Sequence, residues 1–155
     1  YSAAATHITG LDPAAELTER ALQRAAGITQ PLDILTVSGE AIPAEDARFD
    51  SIVCTWTLCS IPDPVSALSE MHRVLKPGGA LYFVEHGRAP DPDVQRWQRR
   101  IEPLWKRIGG GCHLTRAADE LIVGAGFALE ECARGYEPGP RWATWMTHGI
   151  ARKPS

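Results

Sequence analysis

The run Ala80-Leu-Tyr-Phe-Val84 is five residues with no charge and no turn former. It constrains the fold more than any other segment. A run this short is a strand, and one that is apolar on both of its alternating faces predicts helices covering both sides, near the middle of a sheet. What precedes it is helical. Val65, Leu68, Met71 and Leu75 keep helical spacing, and Asp63-Pro64 places an acidic cap and a first-turn proline at the start. Arg73 and Lys76 are expected in the last turn, where cations suit the negative end of the helix dipole, and Pro77-Gly78-Gly79 is expected to stop the helix.

The same alternation extends in both directions. His7 to Leu11 reads as a strand, and Asp12-Pro13 repeats the capping device. The helix that follows carries Leu17, Ala21, Leu22 and Ala25 on one side, an exposed Glu16–Arg20 pair, and a stop at Gly27. Leu32 to Val37 and Phe49 to Thr55 read as strands. Beyond His86 come a helix from about Asp91 to Arg107, a loop at Gly109-Gly110-Gly111, and a helix capped by Thr115 and ended at Gly126. Ala128 to Tyr136 and Ala143 to Arg152 read as an antiparallel hairpin joined through Glu137 to Pro140. The expected fold is α/β, a mostly parallel sheet with a C-terminal antiparallel hairpin, in one domain spanning residues 1–155.

Composition excludes several function classes. A net charge of −3 gives no basic surface for nucleic acid. The densest basic stretch, Arg96 to Arg107, also holds Trp97, Ile101, Leu104 and Trp105, and reads as an amphipathic helix that covers a pocket or forms a dimer face. No run approaches the ~20 apolar residues of a membrane span, and no signal peptide opens the chain. Cys54, Cys59, Cys112 and Cys132 include no CxxC pair, so no metal site is expected and a reducing, cytoplasmic compartment is.

In open α/β sheets ligands lie beyond the carboxyl ends of the strands. Asp12 ends the first strand, where a carboxylate can accept hydrogen bonds from two ribose hydroxyls or simply shape the helix start. At Ser38-Gly39-Glu40 the glycine admits a flat ring against the backbone, and Ser38 or Glu40 offers a partner for an exocyclic amine. Thr55-Trp56-Thr57 ends the third strand and can hold the amino-acid end of a cofactor, or Trp56 can be a core aromatic. Glu85 and His86 end the central strand. His86 is a candidate general base and His113 a weaker one, and either can equally be a loop hydrogen-bonder.

The segments Ile8-Thr-Gly-Leu-Asp-Pro13, Ser38-Gly-Glu-Ala-Ile-Pro43, Thr57-Leu-Cys-Ser-Ile-Pro62 and above all Glu70-Met-His-Arg-Val-Leu-Lys-Pro-Gly-Gly79 resemble the methyltransferase type 11 domain of class I enzymes that use S-adenosylmethionine (SAM). Within it they are most similar to small methyltransferase-like proteins that include alkyl thiol methyltransferases, a likeness shared by Gly111-Cys-His-Leu-Thr-Arg116. The resemblance implies a Rossmann-like sheet, SAM as cofactor and a small-molecule methyl acceptor. It places the ribose at Asp12, the adenine near Pro13 and against Ser38, Gly39 and Glu40, and the methionine portion near Thr55, Trp56 and Leu58. His86 then faces the acceptor. The family's first strand and glycine-rich loop have no counterpart, and Tyr1 falls where the residues just after that loop are expected. Cys54-Thr-Trp-Thr57 stands where amino methyltransferases carry their Asn/Asp-Pro-Pro-Tyr/Phe motif, which argues against an adenine amine as acceptor. Two rival readings are a non-catalytic binding module of the same fold and a nicotinamide-dependent oxidoreductase. Asp12 suits the second rival, but Arg73 to Gly79 and the terminal hairpin do not.

Overall fold

The computed structural model describes residues 5–155. Contacts along the chain group it into two units that divide between Pro43 and Ala44.

In the first unit, strands β1 (Ile8–Leu11) and β2 (Leu32–Leu35) pair in parallel, Ile8 opposite Leu32 through Leu11 opposite Leu35. Helix α1 (Ala15–Arg24) and a 3-10 turn at Ala25–Gly27 connect them. The helix starts later than Asp12-Pro13 predicts. Its N-cap is Ala14, with no side-chain bond, and Asp12 instead accepts the Ala14 N–H through Oδ1 at 2.8 Å. That bond closes an Asx turn, so Asp12 shapes the approach to the helix rather than capping it. The expected apolar side of α1 is not buried: Leu17 and Leu22 stay exposed, and Thr18 turns inward, its hydroxyl donating to Ala15 O at 2.8 Å.

The second unit holds β3 (Phe49–Thr55), α2 (Pro64–Val74), β4 (Leu75–His86), α3 (Pro92–Ile108), α4 (Ala118–Gly124), β5 (Ala128–Tyr136) and β6 (Trp145–Arg152). Sheet order is β3-β4-β6-β5, so β4 lies inside the sheet as its apolar run predicts. It runs parallel to β3 and antiparallel to β6, which forms the expected hairpin with β5. Asp63 caps α2 as read from sequence: Oδ1 accepts the N–H groups of Val65 at 3.0 Å and Ser66 at 3.1 Å.

Three expectations are corrected. Pro77-Gly78-Gly79 does not end a helix. α2 stops at Val74, and β4 already begins at Leu75, bulging so that Phe49 faces Leu75 and Ser51 faces Ala80. Lys76 is therefore a strand residue, donating to Asp50 Oδ1 at 2.7 Å. The bulge explains both glycines: Gly78 has φ +73°, and a Cβ on Gly79 would lie 2.8 Å from Lys76 O. Thr115 does not cap α4, whose N-cap is Ala117; its N–H and hydroxyl donate to Glu102 Oε2 at 2.8 and 2.7 Å. Finally, only one face of the sheet is covered throughout. Leu81 and Phe83 are buried on the side of α2 and α4, whereas Tyr82, Val84 and Val53 are exposed. Each buried Leu or Phe contributes about 1.5–3 kcal/mol, and Leu68, Leu75, Leu81 and Phe83 form the centre of that layer.

α3 also departs from the simple amphipathic reading. Val94 and Gln98 are buried and Ile101 and Trp105 partly so, but Trp97, Leu104 and Ile108 face outward. Among the described residues no helix is long and apolar enough to cross a membrane.

Candidate active site

In the first unit the carboxyl ends of two adjacent parallel strands bring the sequence candidates forward together. Asp12 directly follows β1, and its N–H donates to Leu35 O of β2 at 3.2 Å. One carboxylate oxygen serves the Asx turn. Oδ2 has no hydrogen-bond partner among the described residues, and Asp12 is not buried. After β2, Ser38-Gly39-Glu40 makes a tight turn: Ala41 N–H donates to Ser38 O at 3.2 Å, and Ser38 Oγ donates to Glu40 Oε2 at 3.0 Å. A carboxylate oxygen free for a vicinal diol and a glycine turn after the neighbouring strand are groups that suit a nucleoside. Pro13 lies in the turn between them and α1 and is exposed.

In the second unit the turn after β3 is organised from outside itself. Glu85, on β4, is fully buried. Its Oε1 accepts the N–H groups of Thr57 at 2.9 Å and Leu58 at 3.0 Å, and its Oε2 accepts that of Cys59 at 3.0 Å. Three backbone donors around one carboxylate satisfy the charge that burial would otherwise penalise. Arg116 grips the far side, its Nη1 donating to Leu58 O at 2.8 Å and Ile61 O at 2.6 Å. The turn begins with Trp56 at φ +51°, left-handed for a bulky residue, and its N–H donates to Val84 O at 2.9 Å. This conformation turns the indole outward, 61% exposed, and stacks it on the His86 ring with centroids 5.9 Å apart and planes 9° apart. Thr55 is exposed as well. Leu58 is fully buried, so only its backbone belongs to the rim of this turn.

Behind His86 lies a cluster that spacing could not reveal. Nδ1 of His86 is 3.8 Å from Cys112 Sγ, and Cys59 Sγ joins them so that the three atoms lie within 4.8 Å of one another. Cys59, Cys112 and Leu114 form a small buried core with Ile101, Trp105 and Trp142 packed on it. The two thiols share their protons unequally. The Cys59 proton directed at Cys112 draws the Cys112 thiol down to about 7, and the same bond together with burial pushes Cys59 up. Cys54, buried beside Glu85, is pushed up by desolvation and then by the Glu85 charge. His113 points elsewhere, with Nδ1 3.6 Å from Glu102 Oε1, and burial holds its pKa below the usual value.

Gln98 is a further residue that the sequence reading missed. Fully buried on α3, it accepts Ala89 N–H at 3.1 Å and donates to Gly87 O at 3.0 Å and Trp142 O at 3.3 Å, fixing the segment that follows His86. A polar residue at an inward helical position among apolar ones is the signal that could have found it. A shallow cleft of about 230 Å³ opens between Arg88 and Trp145, but its charges neutralise one another as Arg88–Glu120 and Arg134–Asp119 pairs.

Residues 1–83 match the family described as methyltransferase domain. The chain is 46% identical over 99 residues to thiol S-methyltransferase TMT1B of Rattus norvegicus, covering 63% of this chain and 40% of the relative. It is 40% identical over 80 residues to a demethylmenaquinone methyltransferase of Staphylococcus epidermidis, covering 50% of this chain and 32% of that one. Among solved structures, a SAM-dependent methyltransferase of Methanosarcina mazei superposes with TM-score 0.75 at 20% identity, covering 96% of this chain and 82% of that one. The chain thus spans less than half the length of these curated relatives.

Proposed function

Because this chain belongs to the methyltransferase domain family of class I SAM-dependent enzymes, we propose that it acts in transfer of a methyl group from SAM to the sulfur of a small thiol. The observation that carries the acceptor is the 46% identity to a thiol S-methyltransferase, against 40% over a shorter stretch to a quinone-precursor methyltransferase.

Bound SAM supplies an electrophilic methyl group on a sulfonium. The acceptor thiolate attacks that carbon in line. A carbon–sulfur bond forms as the sulfonium bond breaks, its electron pair staying on the departing sulfur, and S-adenosylhomocysteine leaves. The protein's part is to position and to exclude water. Asp12 would accept the ribose hydroxyls through its uncommitted oxygen, with Pro13 against the adenine and Ser38, Gly39 and Glu40 at its edge. Thr55, the indole of Trp56 and the backbone at Leu58 would be the groups to hold the methionine portion. A thiol ionises near pH 8.5 unaided and needs little base catalysis; His86 would be the imidazole to take its proton.

Calorimetric titration of S-adenosylhomocysteine into the chain, and into a version extended upstream by whatever its gene encodes there, tests the cofactor. Binding by the extended version, weakened at least tenfold by Asp12→Ala, is the expected result. A folded extended protein that binds none overturns the cofactor assignment. Methylation of a small alkyl thiol, and not of a quinol, by the extended protein then tests the acceptor.

A further inference from the structure

We propose that Cys59, His86 and Cys112 form a binding site for a single thiophilic cation of the zinc(II) type, with one coordination position left open. The inference is independent of the methyl-transfer reading. It rests on three ligand atoms drawn from separate segments, the turn after β3, the end of β4 and the loop after α3, all within 4.8 Å of one another.

The geometry is close to that of a tetrahedral centre. Bonds of roughly 2.3 Å to sulfur and 2.0 Å to nitrogen put neighbouring ligand atoms roughly 3.5–3.8 Å apart. Cys112 Sγ and His86 Nδ1 already stand at 3.8 Å. Closing the remaining edges by about 1.3 Å at most, within the reach of side-chain rotation, seats the ion.

The supporting shell fixes each ligand. Cys59 is held at both backbone groups, its N–H by Glu85 Oε2 at 3.0 Å and its carbonyl by the N–H of His113 at 2.6 Å. Cys112 follows Gly111, whose φ of +88° and close approach to Ser60 O bring that loop against the turn. The Trp56 indole stacks on the His86 ring and limits its rotation. Preorganisation of this kind lets three ligands suffice.

The chemistry selects the ion. Two thiolates and an imidazole favour zinc or another soft to borderline cation over calcium or magnesium, which require oxygen ligands. The oxygens of the nearest carboxylate, Glu85, are occupied by backbone N–H groups. Two thiolates neutralise the double charge, which suits the apolar surround of Leu114, Ile101, Trp105 and Trp142. His86 cannot be ligand and free base at once. A loaded site removes it from proton transfer, which a thiol acceptor tolerates.

The test uses the 155-residue chain, reduced, stripped of metal and titrated with cobalt(II), then zinc(II). The expected result is one cobalt ion per chain with a thiolate-to-cobalt charge-transfer band of tetrahedral type, displaced by zinc. Cys59→Ser and Cys112→Ser should each weaken zinc binding at least tenfold. Cys132→Ser, on β5, should leave it unchanged. A folded wild-type chain without that band in excess cobalt overturns the proposal, as does a Cys59–Cys112 disulfide in freshly isolated protein. Should the serine variants fail to fold, the wild-type cobalt spectrum decides. An upstream-extended chain that binds cobalt but no S-adenosylhomocysteine would support this site while counting against the cofactor assignment alone.

Discussion

Glu85 illustrates how one buried carboxylate can set the course of a neighbouring turn. Its two oxygens take the N–H groups of three successive residues, so removing them strands buried donors at about 1–3 kcal/mol each before relaxation. Glu85→Ala should therefore destabilise the chain by about 3 kcal/mol or more, and Glu85→Gln by less because one acceptor survives; denaturant midpoints at constant m-value check both. Trp56 gives a complementary prediction. A left-handed non-glycine residue costs about 1–2 kcal/mol, which Trp56→Gly relieves and Trp56→Ala keeps. The glycine variant should be about 1 kcal/mol more stable than the alanine variant, while both lose the stack on His86; equal midpoints would refute the strain. At this scale the sequence was readable where a residue's position follows from a strand end, as it does for Asp12 just after β1 and His86 at the end of β4. It was mute where residues act through three-dimensional company. Cys59 and Cys112 are far apart in the chain, and nothing in their spacing announces that both meet His86.

Element identities follow from periodicity, and their boundaries from bonds that periodicity does not see. Asp63-Pro64 and Asp12-Pro13 look alike in sequence, yet only Asp63 caps its helix, because the Asp12 side chain is spent on the Ala14 N–H. At the α2–β4 junction, Lys153 donates from the C-terminal segment to His72 O at 2.7 Å and Leu75 O at 2.8 Å, ending the helix where a nearby break at Pro77 was expected. The ring of His72 meets Phe127 edge-on, with centroids 5.1 Å apart. Burial first, and then the Lys153 charge, hold its pKa below 6.5. The unfolded chain thus binds the proton more readily, so stability is intact above that value, declines as pH falls through 6.5, and levels off below the folded pKa. His72→Gln should flatten that part of the melting-temperature profile; an unchanged slope would assign it to another group.

For the molecule as a whole, the two sheets differ in their means of stability. The β1–β2 ladder consists of two four-residue strands, marginal as an isolated pair. β4, by contrast, is paired on both sides. Amide hydrogen exchange should accordingly be fast at Ile8–Leu11 and slow at Leu81–Val84, with protection at β4 approaching the global unfolding free energy; comparable protection in both would contradict this. The class of fold was legible because alternating strand and helix patterns leave few topologies. Which face of the sheet stays open was not, because that depends on which contacts form rather than on which residues are apolar.

The turn after β3 follows a path dictated by Val84, Glu85 and Arg116, none of which belongs to it. A surface whose course is imposed by its neighbours can exchange its own outward side chains without redrawing itself. Heritable variation at the exposed Thr55 is therefore cheap in a way that variation at Glu85 is not. A lineage, or a mutant library confined to that position, can change the surface there without losing the turn.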